Sequence, residues 1–481
     1  MKIDKNMHTQ SKDKEAFASA AVKKRSLLSR RTDLDLTSGP LFSTLIRFAL
    51  PLLAANLINT MFHSMDIMVL SRFAEGNEVA ALGATSAVNA LFSSICVGIC
   101  TGVTIILARL VGRGDAEKTK RVVSTAILTG AMLGVLMGAI GMVINRPFLS
   151  WTDCPTDCME DAVLYSNLYF AGLPFMLTYH YAASVIRVSG DSESPLRYMI
   201  LAGLTNISLN ALFCLFMERK VAAVAIATFL SQALGAFLSL RYLMKKQGPC
   251  HFSLRELCFD FSAFKKMLWY GLPSAVTSSI FPITNLQIQA ALNAFGADTL
   301  TGNVAAVQFE NIVAYIGNAF GSAATTFIGQ NIGAKKKTRV YKSFFYAAAV
   351  ETGSVVFAIL VGLIFGKQIV SIFGATEGAA LDAAMLRMHV VVIAAVIPLT
   401  PMPGAIQAFG YPTLQTAVQM IGTLGVRTLW MQCIYGKVVE DSLFNLYLCY
   451  PITYSIVAAC HLAIVAVLFA RYKKDKLKDK I

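Results

Sequence analysis

The chain has 481 residues, of which 56% are apolar and 15% are charged, and its mean hydropathy is +0.59. A water-soluble domain could not bury that much apolar surface, so the composition excludes a soluble protein and indicates one that lies in a membrane. The net charge of +14 comes from basic residues that cluster outside the apolar blocks. This arrangement is typical of membrane topology signals and contacts with anionic lipid, and it argues against a nucleic-acid partner.

Twelve apolar blocks are long enough to cross a bilayer as helices, which requires about 20 residues each. They lie near residues 44–70, 80–110, 121–145, 161–187, 196–217, 221–244, 265–295, 299–331, 340–366, 384–409, 412–435 and 443–471. The predicted fold is therefore an all-α polytopic membrane protein with twelve transmembrane helices.

Basic residues fall in alternate loops between these blocks. Clusters of Lys and Arg occur before the first block (23–31), after the second (113–121), around the middle (245–266), after the eighth (335–339) and at the end of the chain (471–478). The intervening loops are poor in Lys and Arg or acidic, as at Asp153, Asp157, Glu160 and Asp161. The positive-inside rule then predicts that both termini are cytoplasmic.

The pattern of blocks occurs twice. "RFALP", which ends at Pro51, matches "WYGLP", which ends at Pro273, and "RLVGRGDAEKTKRV" matches "QNIGAKKKTRV". The chain distance from Pro51 to Gly112 equals that from Pro273 to Gly333 to within one residue. Each half has six blocks, so both halves enter the membrane in the same direction. We therefore predict two pseudo-symmetric six-helix lobes, related as parallel repeats, around a central cleft.

Five parts are expected along the chain. They are a polar basic tail (1–38), a first lobe with helices one to six (39–244), a cytoplasmic linker (245–263), a second lobe with helices seven to twelve (264–472) and a basic tail (473–481). Alternating charged and apolar residues in "FSLRELCFDF" predict a short amphipathic surface helix within the linker.

Polar residues inside the first six blocks suggest an ion-binding site. Asp66 lies within the first block, where an ionisable residue costs about 2.5–3.5 kcal/mol to insert. Hydrocarbon disfavours a charged carboxylate, so we expect Asp66 to bind and release a proton or a small cation. The alternative is a structural carboxylate that is capped by hydroxyls or reaches the outer interface. Asn206 and Asn210 share one helix face and Thr228 lies in the next block, so they could line a pocket with Asp66 or simply join helices by hydrogen bonds. His180 is either a hydrogen-bonded structural residue or a titrating one.

The second half contains candidates for a substrate cleft. Glu310 and Glu351 are carboxylates within its blocks, and Glu310 lies among amide side chains suited to a wet cavity. Arg427 is a buried cation that either faces the cleft or pairs with a carboxylate or with backbone carbonyls. The predicted cleft residues are Glu310, Gln287, Asn285, Gln308 and Arg427.

The ten cysteines follow no metal-binding spacing, so we expect no metal site and mostly small packing residues. Cys154 and Cys158 flank a short acidic loop and could pair if that loop faces an oxidising compartment. The sequence contains no HExxH, GxSxG or phosphate-loop motif, which argues against an intramembrane enzyme.

These residues give the chain a resemblance to bacterial members of the multidrug and toxic compound extrusion (MATE) family. "LPLLAANLINTMFHSMDIMVLSRF" resembles the first helix of that family, with its bent proline and embedded aspartate. Four further segments resemble motifs of the family and occur in the same order. They are "VIRVSGDSESP", "TNISLNALF", "IGQNIGAKKKTRV", and "FGYPTLQ" with "GVRTLW". The resemblance extends over residues 38–472.

The resemblance implies an antiporter of the bacterial plasma membrane that exports small cationic or amphipathic compounds while protons or sodium ions enter. It implies that Asp66 is the coupling carboxylate of the first lobe, and that Asn206 and Thr228 hydrogen-bond or ligate around it. It also implies hinges at Pro51 and at its counterpart Pro273.

Two departures from the family pattern favour H+ over Na+ as the coupling ion. Asn210 stands where aspartate is common, and His180 stands where asparagine is frequent. Because Na+ prefers several hard oxygen ligands, losing a carboxylate and gaining an imidazole weakens a sodium site. Acidic residues that another branch carries in helices seven and ten have no counterpart here, which leaves Glu310 as a candidate substitute.

We expect a monomer in the bilayer, without a cofactor. The alternative function is a flippase for lipid-linked oligosaccharides or other lipid precursors. Such a flippase would share the architecture, but it should have a more cationic cavity than Arg427 alone provides.

Overall fold

The computed structural model describes residues 34–74, 76–151, 154–397 and 400–474. The basic cluster at 23–31, most of both predicted tails and Asp153 lie outside these residues. The described chain is helical, and its only β pairing is an isolated bridge between Tyr435 and Val439.

In chain order the helices are α1 (Leu41–Phe73), α2 (Gly76–Ile99), α3 (Thr101–Arg113), α4 (Ala116–Trp151), α5 (Thr156–Val188), α6 (Glu193–Phe216), α7 (Lys220–Lys245), α8 (Phe261–Leu292), α9 (Ala297–Gly333), α10 (Lys337–Ile372), α11 (Gly378–Arg387), α12 (Pro401–Ala408), α13 (Pro412–Gln419), α14 (Val426–Leu429) and α15 (Leu443–Lys473). Short 3-10 or π turns occupy Asn293–Phe295, Met388–Val392, Met420–Gly425 and Trp430–Ile434.

In the described part of the chain these helices correspond to twelve rods if α2 is counted with α3, α11 with α12 and α13 with α14. Eight stretches are long and apolar enough to cross a membrane on length and composition alone. They are Leu41–Asn59, Glu78–Arg113, Ala116–Trp151, Glu193–Phe216, Lys220–Lys245, Ala297–Gly333, Lys337–Ile372 and Leu443–Lys473. The remaining rods are α5, α8, α11 with α12, and α13 with α14. The last two of these four rods are interrupted by π or irregular turns.

Large apolar side chains cover the outside of the rods. Examples that are more than half exposed are Val143, Trp151, Phe216, Phe237, Trp269, Phe357, Ile364, Ile421 and Leu462. Water would not tolerate this much apolar surface, so lipid is the solvent of the outer face.

The residues that join α7 to α8 do not form the amphipathic helix expected from "FSLRELCFDF", so that prediction was wrong. Residues 246–260 are turns and extended chain. Two backbone N–H groups of this segment donate to hydroxyls of α4, from Cys258 to Ser124 Oγ and from Asp260 to Thr125 Oγ1, each at 3.0 Å. The Asp260 side chain then caps α8 by accepting from the N–H groups of Ser262 and Ala263.

The two lobes meet where glycines allow backbones to touch. An ideal Cβ on Gly112 would lie 2.0 Å from the carbonyl oxygen of Gln330, and one on Gly333 would lie 2.2 Å from that of Arg109. Gly112 and Gly333 occupy the same place in the duplicated motif, as do Arg109 and Gln330. The crossing of α3 and α9 is therefore reciprocal, as expected for parallel repeats.

Hydrogen bonds repeat the same reciprocity. The Arg109 guanidinium donates from Nε and Nη2 to the carbonyl of Ala408, at 3.1 and 2.6 Å. Gln330 Nε2 donates to the carbonyl of Val188 at 2.6 Å. Ala408 is the last residue of α12, and Val188 is the last residue of α5. The two lobes are therefore hydrogen-bonded to each other next to the loops that follow α3 and α9. The cleft is closed on that side.

Replacing Gly333 with Ala should weaken this closure, because the added Cβ must push α9 away from the Arg109 carbonyl. We expect faster labelling of a single cysteine at the cavity-lining Thr326 (Thr326→Cys in a cysteine-free background) by an impermeant maleimide. The reagent is added on the side of the α3–α4 loop.

The matched control is Gly353→Ala on α10, where a Cβ meets nothing within 4 Å. This control should label like the parent, since Ala in an open helix position stabilises by up to about 1 kcal/mol. Equal labelling of all three proteins would contradict the proposed closure.

Candidate functional site

Asp66 lies at the centre of a polar cluster inside the first lobe. Its side chain is 3% exposed. Asn210 Nδ2 donates to Oδ1 at 2.7 Å, and Thr228 Oγ1 donates to Oδ2 at 3.2 Å. The hydroxyl of Tyr165 also faces the carboxylate. Helices α1, α5, α6 and α7 thus each supply one group, and hydrogen bonds take the place of the water that the carboxylate has lost.

Asn206 links the cluster through α6. Its Nδ2 donates to Thr228 Oγ1 at 3.1 Å, and its Oδ1 accepts from Asn210 Nδ2 at 3.2 Å. The one-turn spacing of the two asparagines puts both on the same face, as their positions in the sequence predict. Asn210 Oδ1 has no hydrogen-bond donor among the described residues. The cluster therefore contains more acceptors than donors.

A small cavity of about 100 Å³ adjoins this cluster. Its wall includes Asp66, Asn206, Thr228 and His180. His180 lines both this cavity and the central cleft, and its ring packs edge-on against Tyr179 at 5.4 Å between centroids. The structure thus brings Asp66, Asn206, Asn210 and Thr228 into contact and places His180 on the wall nearby.

In the second lobe, Glu310 is held in an ion pair that the sequence analysis did not identify. Arg387 donates from Nη2 and Nε to Glu310 Oε2, at 2.6 and 3.2 Å, and both side chains are almost fully buried. Arg387 Nη1 also donates to Asn303 Oδ1 at 2.7 Å. Arg387 lies inside the predicted tenth block, so a search for a cation within the blocks would have found it.

Arg427 is fully buried and pairs with no carboxylate among the described residues. Its Nη1 donates to Thr284 Oγ1 at 3.1 Å, and its guanidinium lies 4.1 Å from the ring centre of Tyr450. Its Nε and Nη2 have no acceptor within the described chain. The ring supplies a cation–π contact, but the positive charge of Arg427 has no negative partner among the described side chains.

Asn285 and Gln287, two of the three amide residues predicted for the cleft, lie beside these arginines. Asn285 Oδ1 accepts from the Tyr450 hydroxyl at 3.2 Å, and Gln287 Nε2 donates to Thr428 Oγ1 at 3.2 Å. Gln308 is half-buried. Of the five predicted cleft residues, Glu310 is the one that lines the central cavity.

That central cavity lies between the lobes and has a volume of about 490 Å³. Its wall carries ionisable side chains from both lobes: His180 and Arg187 from α5, Glu310 from α9, Glu351 from α10, and Tyr454 and His461 from α15. Sequence reasoning missed Arg187, although it lies in the quoted motif "VIRVSGDSESP". Its Nε is buried without an acceptor among the described residues.

The predicted hinges Pro51 and Pro273 lie inside α1 and α8. Cys154 and Cys158 are both free, with their sulfur atoms 3.8 Å apart. No group of three His, Cys, Asp or Glu side chains that could hold a metal ion occurs in the part of the chain that the structure describes.

The Glu310–Arg387 pair should contribute to stability. Replacing Glu310 with Gln leaves Arg387 buried and uncompensated, which costs about 3–5 kcal/mol in comparable pairs. We therefore expect a lower unfolding temperature for the purified Glu310→Gln protein. Adding Arg387→Met should recover most of the loss, because no buried charge then remains. An unfolding temperature for Glu310→Gln equal to that of the parent would contradict this assignment.

The MatE family model matches residues 51–212 and 273–429, so its two matches begin at the duplicated prolines. The probable multidrug resistance protein YpnP of Bacillus subtilis (strain 168) is 25% identical over 308 residues, which cover 64% of this chain and 68% of that protein. The FAD transporter of Shewanella oneidensis is 27% identical over 313 residues, with 63% and 68% covered.

Solved structures share the fold. A transporter of the MOP superfamily from Pyrococcus furiosus Vc1, described as having a binding pocket of reverse polarity, superposes with a TM-score of 0.82 at 17% identity, over 91% of this chain and 98% of that one. An outward-facing multidrug resistance MATE transporter gives the same TM-score, identity and coverage. This likeness confirms the fold of twelve helices in two lobes. The chain is a multi-pass membrane protein and a transporter rather than an enzyme, and it belongs to the MatE family.

Proposed function

We propose that the protein exports cationic or amphipathic organic compounds by antiport, driven by the entry of a cation that is H+ rather than Na+. The observation that carries this proposal is the buried Asp66 carboxylate, whose described partners are all neutral. A lone carboxylate in such a site can change its charge only by taking up a proton or a small cation. Relatives described as multidrug resistance proteins support the class of cargo.

The donors around Asp66 favour a proton. Both carboxylate oxygens already accept from side chains, while Asn210 Oδ1 has no donor. A proton adds the donor that the cluster lacks. Sodium instead requires several hard oxygens turned towards one point, but the amide nitrogen and the hydroxyl of the cluster point their hydrogens at the carboxylate.

A transport cycle follows from this geometry. The Asp66 cluster adjoins a cavity whose wall shares His180 with the central cleft. Proton uptake would turn one carboxylate oxygen into a donor, so Asn210 or Thr228 would lose its bond to that oxygen. The change would alter the packing of α1 on α6 and α7 and expel the cargo. With both termini in the cytoplasm, as the basic loops predict, the closed side of the cleft is cytoplasmic. Each charge that enters contributes about 2.3 kcal/mol per 100 mV.

Asp66→Asn should abolish transport while leaving the fold intact, because the amide fills the same space but cannot change its charge. In proteoliposomes, a pH gradient should drive ethidium movement by the parent protein. The Asp66→Asn protein should match empty liposomes, and a sodium gradient without a pH gradient should drive none.

The matched control is Asp157→Asn, which alters an exposed acid at the start of α5 and should transport like the parent. Gradient-driven transport by Asp66→Asn at the parental rate would refute the role of this carboxylate. Transport driven by sodium alone would reverse the proposed choice of ion.

Export of an anionic compound is a second candidate. Arg187 on the cavity wall and Arg427 behind it lack carboxylate partners among the described residues, so the interior carries cations that an anionic cargo would neutralise. The FAD transporter relative makes a dinucleotide diphosphate a reasonable test compound. The flippase alternative also requires a cationic cavity. Arg187 adds its positive charge to that of Arg427, so the interior is more cationic than Arg427 alone would make it.

Arg187→Gln tests this candidate with the residue that the second lobe has at the equivalent position, Gln407. If an anion is the cargo, FAD transport in proteoliposomes should fall at least tenfold, which corresponds to about 1.4 kcal/mol. Ethidium transport should be unchanged or faster, because a cation has been removed from the wall. Failure of the parent protein to move FAD would exclude the dinucleotide as a cargo.

A further inference from the structure

Glu351 on α10 is a buried carboxylate that the transport model above does not use. It is 2% exposed and lies on the wall of the central cavity. No ion pair in the described residues involves it, and its Oε2 has no hydrogen-bond donor there. An ionised carboxylate in this setting would lack the partners that normally compensate for lost hydration.

The other oxygen of Glu351 contacts the residue that precedes α12. The backbone N–H of Thr400 donates to Oε1 at 3.1 Å, and Thr400 Oγ1 lies 2.6 Å from the same oxygen. Thr400 Oγ1 also lies 2.6 Å from the carbonyl oxygen of Gly317 on α9. Thr400 approaches α9 this closely because residue 317 is glycine, since a Cβ there would lie 2.8 Å from Thr400 Cγ2.

Counting hydrogens around Thr400 identifies the protonation state that fits this geometry. A hydroxyl has one hydrogen, and the Gly317 carbonyl can only accept. Two contacts of hydrogen-bond length therefore need a second hydrogen, which only the Glu351 carboxyl can supply. The protonated carboxyl donates to Thr400 Oγ1, and Thr400 donates to Gly317. When Glu351 ionises, the Thr400 hydroxyl can donate to the carboxylate or to the Gly317 carbonyl, but not to both.

Helix α12 connects this group to the closure between the lobes. Thr400 precedes its first residue, and its last residue, Ala408, accepts both bonds from Arg109 of the first lobe. Eight helical residues separate the two contacts by about 12 Å. The chain before Thr400 leaves the helical pattern after Ala394, so α12 can shift without moving α11.

We propose that Glu351 is a second proton-binding site, and that α12 transmits its protonation state to the Arg109–Ala408 contact that closes the lobes. Protonated Glu351 holds α12 against α9 through Thr400 and favours the closed side. Ionised Glu351 competes for the Thr400 hydroxyl and loosens α12. Proton binding by Glu351 does not depend on Asp66, whereas a role of Glu351 in transport rests on the proposed antiport.

The charged groups near Glu351 do not supply a counter-ion. Glu310 on α9, which lines the same cavity, is neutralised by Arg387 of α11. The other ionisable groups on the cavity wall are His180, Arg187, Tyr454, His461 and the thiol of Cys100. Further titratable or charged residues occur in the elements packed on α10. They are Arg47, His63, Asp66 and Arg72 of α1, Asp298 and Tyr315 of α9, Asp382 of α11 and His389 of the following π turn; α12 has none.

Infrared difference spectroscopy between pH 9 and pH 5 on the protein in lipid nanodiscs tests the site without any cargo. A protonated buried carboxyl gives its own carbonyl stretch. We expect separate bands for Asp66 and Glu351 in the parent protein. Glu351→Gln should lose one band and keep the other, and Asp66→Asn should show the opposite. Glu377→Gln, which removes an exposed acid at the start of α11, should lose neither.

Thr400→Val provides a second variant that keeps the carboxyl but removes its acceptor. It should shift the Glu351 band and leave the Asp66 band in place. Spin labels in the loops after α3 and α9 should also show a distance that shortens on acidification in Asp66→Asn but is independent of pH in the double variant Asp66→Asn/Thr400→Val.

A Glu351→Gln spectrum equal to that of the parent would overturn the proton site. A loop distance in Asp66→Asn/Thr400→Val that still follows pH as in Asp66→Asn would overturn the transmission through α12. Absence of the Asp66 band, with the Glu351 band present, would count against the proposed function alone and leave this inference standing.

Discussion

The close crossing of α3 and α9 is the constraint on which the rest of the structure depends. Gly112 and Gly333 each lie against the backbone of the opposite helix, so neither position has room for a side chain. Arg109 and Gln330, three residues before these glycines, reach across to the last carbonyls of α12 and α5. With no hydrophobic driving force between helices in lipid, close packing and such hydrogen bonds are what hold two lobes together. Because the contacts are few and discrete, they can also separate as a unit, which a transporter requires.

The two lobes use their buried charges differently. In the first lobe, Asp66 is surrounded by amides and hydroxyls, so its charge can change without leaving an opposite charge unpaired. In the second, Glu310 is fixed by Arg387, and loss of either charge would leave the other buried and uncompensated. The carboxylate that retains freedom in the second lobe is Glu351, whose described partners are again neutral. A neutral surrounding, rather than burial alone, distinguishes a carboxylate that can exchange a proton from one that has a structural role.

Much of this architecture could be predicted from the sequence because it is encoded in periodic or repeated patterns. Block lengths predicted twelve helices, the paired motifs predicted the lobes, and the one-turn spacing of Asn206 and Asn210 predicted that both would lie on the same helix face. The Glu310–Arg387 pair could not be predicted, since its partners lie 77 positions apart and meet only through the rotation of two helices about their axes. The break before α12 was also missed, because apolar residues continue through it and hydropathy does not record backbone geometry. In the linker, hydroxyls of α4 bind the backbone, so charge alternation there was a poor guide to helix formation.

The duplication is imperfect where movement is needed. The fourth helix of the first lobe, α5, runs unbroken from Thr156 to Val188, whereas its counterpart in the second lobe is divided into α11 and α12. Both α5 and α12 end at a carbonyl that the opposite lobe binds. The inter-lobe contact therefore involves one rigid helix, α5, and one short helix, α12, that is free to shift. Arg187, near the end of α5, corresponds to Gln407, near the end of α12. The positive charge therefore lies on the unbroken helix. If both helices were rigid, the repeat would close the cleft equally well, but it would have no element through which the ionisation of a carboxylate such as Glu351 could reopen it.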